Sequence, residues 1–188
     1  LSLGQDDLLM LHQDSSGLEK LISAGDMAQS IGRQPVDVTI TGLRAIDTST
    51  LEANARVIVG GYYAIGDGGG GVFYYDPVAT DPDNGGTIIA PNSGSGRWKR
   101  PFTASINIRW FGAVGDGATN DATAIQNAFD AACKLDSASV YIPSGIYNIG
   151  APIMVYAAPA VSLSVFGDGA ASSIIRQTTL NTNGLSFT

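Results

Sequence analysis

A single cysteine, Cys133, and a single histidine, His12, stand in the 188 residues. One thiol closes no intramolecular disulfide, so the fold rests on no oxidising compartment, and Cys133 is expected as a small buried apolar group rather than a nucleophile. His12 has no second histidine or cysteine to complete a metal set and is expected at the surface. Charge is scarce as well: 14% of residues are charged, and 17 acidic against 10 basic groups give a net charge of -7. That sign is wrong for tracking a phosphate backbone, which argues against nucleic acid as a partner. Long apolar runs are missing too. The most apolar stretch, 150–167, is interrupted by Pro152 and Pro159 and alternates at Val161-Ser162-Leu163-Ser164-Val165, so no membrane insertion is expected. The first residues, Leu1 to Asp7, have neither an initiator Met nor the basic-then-apolar pattern of a signal peptide, and read as a trimmed start.

What is present is glycine, 24 residues of it, and 44% apolar residues. Many tight turns between short strands follow, and the expected class is mainly β. Residues 1–35 read as a hairpin plus a short helix: Leu8-Leu9-Met10-Leu11, a turn at Asp14-Ser15-Ser16-Gly17, a return along Leu18 to Ile22, then a helix over 24–31 ended by Gly32 and Pro35. So few apolar residues fold only against a partner surface.

Residues 36–104 read as a small β-rich module. Val36 to Ile40 is a strand, Thr41 to Ala45 a turn, and Thr48 to Leu51 a short helical turn. Strands are expected at Val57–Val59, Val72–Tyr75 and Gly86–Ala90, and Gly96-Arg97-Trp98-Lys99-Arg100 closes the module. Residues 105–188 open with Asn107-Ile108-Arg109-Trp110-Phe111 and continue to a helix of residues 121–133 whose apolar positions, Ala122, Ile125, Phe129 and Ala132, share one face. Short strands follow at Val140–Ile142, Tyr147–Ile149, Ile153–Val155, Val161–Phe166, Ser173–Gln177 and Leu185–Phe187. From Val140 to Val161 is 21 residues and from Val161 to Leu185 is 24. Strand triplets recurring at that spacing predict a coil of stacked parallel strands, with the preceding helix covering its open first turn.

The segment Trp110-Phe111-Gly112-Ala113-Val114-Gly115-Asp116-Gly117, with Asn120-Asp121-Ala122, Ile125, Phe129 and then Val140-Tyr141-Ile142-Pro143-Ser144-Gly145-Ile146-Tyr147, resembles the lead-in of the pectate-lyase-like right-handed parallel β-helix superfamily. The stretch Gly60-Gly61-Tyr62-Tyr63, the loop Gly66-Asp67-Gly68-Gly69-Gly70-Gly71, Phe73-Tyr74-Tyr75-Asp76 and Gly96-Arg97-Trp98-Lys99-Arg100 resembles the module that precedes the β-helix in bacteriophage tailspikes. Asp7 to Met10 and Lys20 to Met27 are similar to short N-terminal repeats of phage tail proteins. The resemblance implies small N-terminal β modules, a capping helix and the first turns of a β-helix. It further implies a homotrimer on the virion tail, held through residues 1–35 by a tail or baseplate protein, with a C-terminal β-helix that binds and depolymerises host capsular or lipopolysaccharide glycan. A polysaccharide-active bacterial β-helix enzyme, hydrolase or lyase, with no virion role is the alternative. The structural motif carried over is Gly66, Asp67, Gly71, Trp98, Trp110, Gly112, Gly115, Asp116, Gly117, Asp121, Ile125, Phe129, Pro143, Gly145 and Tyr147. The resemblance supplies no catalytic, cofactor-binding or metal-binding residue.

Several sharper readings give way to plainer ones. Gly66 to Gly71 satisfies G-x-G-x-x-G, but the aromatic and β-branched Val72-Phe73-Tyr74-Tyr75 after it is a strand, whereas a dinucleotide site needs a helix there. Asp81 to Gly86 lacks the oxygen ligands of a calcium loop at its fifth and twelfth positions, Gly85 and Asn92. Asp116 and Asp121 read as turn and helix-start residues before they read as a glycosidase pair, and Asp168 between two glycines likewise. Tyr62, Tyr63, Tyr74, Tyr75 and Trp98 are expected in the core of the module.

Overall fold

The computed structural model describes residues 10–13, 19–22, 38–103, 105–135, 137–156, 162–179 and 184–187. The chain divides into two units, Leu1–Pro35 and Val36–Thr188. In the first, β1 (Met10–Gln13) runs antiparallel to β2 (Glu19–Ile22), with Met10 opposite Ile22. This is the expected hairpin. The helix expected over 24–31 and the side chain of His12 lie outside the described residues.

The second unit begins with β3 (Val38–Thr39), which leads directly into helix α1 (Ile40–Ala45). A turn was expected over 41–45, and the helix replaces it for two local reasons. The Thr39 hydroxyl caps the Gly42 N–H at 3.4 Å, and Ile40 and Leu43, three apart, are both buried. Thr48 to Leu51 forms one bonded turn, Leu51 N–H to the Thr48 carbonyl at 3.3 Å, rather than a helical segment. Then come β4 (Arg56–Gly61), β5 (Gly71–Asp76), β6 (Ile88–Ile89) and β7 (Arg97–Lys99), in the sheet order β3-β4-β5-β7-β6. The strand expected over 86–90 shrinks to two residues because the Asn84 carboxamide oxygen takes the N–H groups of Gly86, Thr87 and Ile88. All pairings from β4 onward in this sheet are antiparallel. Alternation sends Val57, Val59, Phe73, Tyr75, Ile89 and Trp98 to one face, where they bury Ile40 and Leu43 of α1. Two tyrosines depart from the expected core: Tyr63 is 66% exposed on the loop after β4, and Tyr74, on the face of β5 opposite Phe73 and Tyr75, is only half-buried.

The remainder is a coil. Strands β8 (Ser105–Asn107), β9 (Asp116–Asn120), β10 (Ser137–Ile142), β11 (Gly145–Ile149), β12 (Ile153–Val155), β13 (Ser162–Gly167), β14 (Ser173–Gln177) and β15 (Leu185–Phe187) form three parallel sheets, β8-β10-β13, β9-β11-β14 and β12-β15. The coil starts at Ser105, earlier than the expected first strand at Val140. Val140 pairs with Val165, Ile146 with Ile174 and Ile153 with Leu185, so a turn is longer than the 21 to 24 residues read along the chain, and Leu185 closes the second full turn rather than beginning a third. Helix α2 (Ala122–Ala132) sits where the third sheet has no first-turn strand, packed on β10, β12 and the 3₁₀ turn Ile108–Phe111. Its apolar face, Ala122, Ile125, Ala128, Phe129, Ala131 and Ala132, closes over Ile106, Val140, Tyr147, Ile149 and Ile153. Burial of that face is what keeps so short a helix formed.

Candidate functional site at the junction of sheet and coil

The sheet and the coil meet where residues 62–69, 86 and 100 face residues 109–112. Asn107 sets the meeting point: its side-chain oxygen accepts from the Arg109 N–H at 2.9 Å and starts the 3₁₀ turn. Gly112, left-handed at φ 92°, ends it with its N–H on the Arg109 carbonyl at 3.1 Å. A side chain at Gly112 would stand 2.8 Å from the Tyr62 ring in a backbone conformation that disfavours one. Phe111, buried by this turn, lies against Gly86 of the sheet, where a Cβ would come within 2.6 Å of the ring. The two structures interlock because glycine faces an aromatic ring on each side.

Two arginines fasten the interlock. Arg100, 5% exposed, donates to the carbonyls of Gly69 at 2.8 Å, Gly70 at 2.5 Å and Gly86 at 3.3 Å. Its guanidinium lies 4.4 Å from the Phe73 ring of the sheet and 4.8 Å from the Trp110 ring of the coil's lead-in, a cation between two π faces. Burial lowers its pKa to about 10, which leaves it charged at neutral pH. Carbonyl dipoles and rings, rather than a carboxylate, compensate the buried charge. Arg109 reaches the other way, donating to the Asp67 carbonyl at 3.0 Å and to the Ser144 carbonyl at 3.0 Å, so one side chain binds the glycine-rich loop to the β10–β11 turn.

The loop itself is organised by Asp67. Its carboxylate accepts from the N–H groups of Tyr62, Tyr63, Ala64 and Gly69 at 2.8 to 3.0 Å. Burial opposes ionisation there, but the four donors outweigh it and hold Asp67 below the usual carboxylate range. Gly66 and Gly71 on either side are left-handed, and Gly71 leaves the space that the Arg100 guanidinium fills. Strand β5 follows the loop directly.

Asp121 stands at the N-cap of α2, the helix start expected of it. Its side chain makes no capping bond and, almost wholly buried, accepts from the N–H groups of Val114 at 2.7 Å and Gly115 at 3.1 Å. Asn120 instead takes the Ala122 N–H at 3.2 Å. Burial raises the Asp121 pKa, and the two donors offset only part of that cost. Asp116 accepts from Ala118 and Thr119 in the turn after Gly115, which holds it below the usual range. Asp168 takes the Tyr141 hydroxyl at 2.7 Å and the Ser144 N–H and hydroxyl at 2.8 Å, tying one coil's turn to the next and lowering its own pKa. Each of these three carboxylates is engaged by donors of the fold itself.

Of the remaining motif residues, Ile125, Phe129 and Tyr147 lie in the coil core and Trp98 in the sheet core. Gly115 faces the Tyr147 ring, Gly117 faces Ile146, and Pro143 and Gly145 flank Ser144 in the β10–β11 turn. Cys133 is half-buried against the coil core, and burial, followed by Asp130, pushes its thiol up. Asp83 pairs with both terminal nitrogens of the Arg44 guanidinium and accepts from Gly85 and Ala90, so its loop is closed by an ion pair. No cluster of three or more metal-ligating side chains occurs among the described residues. No helix among them is long and apolar enough to cross a membrane. Arg100 and Arg109 escaped the sequence reading; only the fold brings their carbonyl and ring partners together.

With this geometry in hand, comparison with known proteins is informative. Residues 38–103 match the family described as phage tail protein small four-stranded beta-sheet domain, and residues 105–187 match the family described as rhamnogalacturonase A/epimerase, pectate lyase-like. The chain is 37% identical over 106 residues to the Mu-like prophage FluMu defective tail fiber protein of Haemophilus influenzae, covering 55% of this chain and 16% of that protein. The tailspike protein of Acinetobacter baumannii phage AM24 superposes with a TM-score of 0.64 at 25% identity, over 90% of this chain and 26% of that one. A second tailspike, a capsular polysaccharide depolymerase of another Acinetobacter baumannii bacteriophage, superposes at 0.56 with 20% identity, over 79% of this chain and 27% of that one. The chain therefore spans about a sixth of the prophage relative and about a quarter of each tailspike. Fold and junction together define a phage tail β-sheet domain that runs into a pectate-lyase-like coil. The chain is of the bacteriophage tailspike kind, a protein of the virion tail.

Proposed function

We propose that this chain is the tail-proximal part of a trimeric tailspike or receptor-binding protein. In this reading residues 1–35 attach to a tail or baseplate protein, residues 36–104 form a rigid collar, and residues 105–188 open the β-helix. In the full-length spike that β-helix binds and depolymerises a host capsular or lipopolysaccharide glycan. The observation that carries the reading is the keyed junction: a phage-tail sheet whose glycine loop is bonded by Arg109 to the β10–β11 turn of the coil, with Arg100 held between rings from both sides. A collar that cannot swivel suits a spike that must transmit the load of cell contact to the tail.

Cryo-electron microscopy of the virion tests it. The 38–103 sheet should lie at the tail end of a threefold spike, with the coil axis pointing outward. A sheet at the distal tip, or no density for the chain on the tail, contradicts the proposal. Light scattering of the intact spike should give three times the chain mass, and a monomer mass removes the trimer.

A further inference from the structure

Among the described residues the third sheet of the coil has no strand beneath β12, while the other two begin one strand earlier, with β8 and β9. In a parallel ladder, alternate residues send both their N–H and their C=O to opposite sides of the strand. Ile153 faces β15, its N–H bonded to the Gly184 carbonyl at 2.9 Å. Met154 therefore turns its N–H and C=O to the open side, the groups that recruit a foreign strand. Gln126 of α2 meets both. Its side-chain oxygen accepts from the Met154 N–H at 2.8 Å, and its side-chain nitrogen donates to the Met154 carbonyl at 2.7 Å. The second N–H of the same amide is held by Asp130, one helical turn on, at 2.8 Å. Asp130 accepts only, so it fixes which end of the carboxamide faces Met154 N–H.

We propose that Gln126 is a strand surrogate: its carboxamide presents to β12 the donor and acceptor of one peptide group and thereby blocks a second copy of this chain from adding a strand to the first-turn edge. The surrounding geometry supports a dedicated role. Ile125, Ala128 and Phe129 bury the adjacent helical face, leaving Gln126 at the rim of the helix beside β12. The apolar contacts hold the helix in place and the amide closes the ladder. The exposed edge that it covers is three residues long, short enough for one amide to satisfy.

The test uses the full chain with three variants. Gln126→Met keeps length, helix propensity and apolar packing but removes both bonds. The Met154 amide should then exchange about tenfold faster, the factor that one lost hydrogen bond of ordinary net worth implies, while Ile153 and Val155 keep their protection. Light scattering should show mass rising with concentration, beyond that of the unaltered chain. Gln126→Glu loses the donor and sets a carboxylate against two acceptors, the Asp130 carboxylate and the Met154 carbonyl, so Met154 protection should fall as it does in Gln126→Met. Asp130→Ala frees the amide to flip and should give an intermediate exchange rate. Unchanged Met154 exchange in Gln126→Met, or unchanged association, overturns the proposal. If Gln126→Met does not fold, the Glu variant decides alone: loss of Met154 protection there supports the surrogate role, and protection unchanged from the unaltered chain overturns it.

Discussion

The sheet of residues 38–103 and the coil of residues 105–187 solve the same problem, short strands with little charge, in opposite ways. In the sheet, partners are near in sequence: β4 and β5 are consecutive, as are β6 and β7, and β5 reaches β7 past only the two-residue β6. Its long loops are held by single carboxylates and carboxamides, Asp67, Asp83 and Asn84, each taking two or more backbone N–H groups. In the coil every partner lies a full turn away, as Val140 does from Val165, and the loops are held by contacts between successive turns such as Asp168 to Ser144. Local hydrogen bonding can form the sheet piece by piece. The coil has to close a long loop for each ladder, so it gains from a ready-made end against which to stack. Helix α2 and the sheet, through Arg100 and Arg109, supply that end.

This difference can be broken at several points. The largest effect is expected from Phe129→Ala, which empties the centre of the coil core and should cost about 3–5 kcal/mol by denaturant unfolding. Hydrogen exchange in β10, β11 and β12 should rise far more than in β4 and β5. Arg100→Met should come next, at roughly 3 kcal/mol, because the carbonyls of Gly69, Gly70 and Gly86 lose a buried donor. Unlike the first change it should loosen sheet and coil together. Gly86→Ala, which forces a methyl against Phe111, should cost about 1–3 kcal/mol and act on the junction alone. Smallest is Arg44→Ala: this partly exposed pair with Asp83 should contribute under about 1 kcal/mol, felt only in the sheet.

Acid sharpens the comparison further. The pKa of Asp67 is depressed, so its contribution is present above the unfolded value of about 3.9 and lost as pH falls through the lower folded value. For Asp121 the pKa is raised, so its contribution is present below about 3.9 and lost as pH rises through the higher folded value. Asp67→Asn should therefore flatten the acid limb of the stability curve. Asp121→Asn should make stability climb more steeply above about pH 4. Stability measured against pH in both variants checks the two signs.

Much of the coil is legible in the sequence because its signals are periodic. Ala122, Ile125, Phe129 and Ala132 fall on one helical face, and the strands from Val140 onward alternate around an apolar interior, so their character needs no tertiary information. Its true beginning does not show, since β8 is three residues long and is followed at once by a 3₁₀ turn. The turn length misleads along the chain because registration is set by ladders between loops of unequal size. In the sheet, α1 hides behind a glycine and two threonines, and only the Thr39 cap with the Ile40 and Leu43 burial makes a helix of it. Tyr62 and Tyr63 look alike in sequence and both reach Gly112, yet only Tyr62 packs against the sheet core, while Tyr63 is left largely in solvent. Arg100 carries no signature at all, because nothing before folding distinguishes an arginine bound for three carbonyls and two rings from one bound for water.

Sheet and coil form one body through Arg100 and Arg109, and a double-mutant cycle probes that coupling. Unfolding would be followed for Arg100→Met, Trp110→Leu and the pair, with site-resolved hydrogen exchange in β5 and β11. Coupling of about 1 kcal/mol or more is expected, with exchange rising in both strands for each single change. Additive effects, with β11 untouched when Arg100 is replaced, would contradict it.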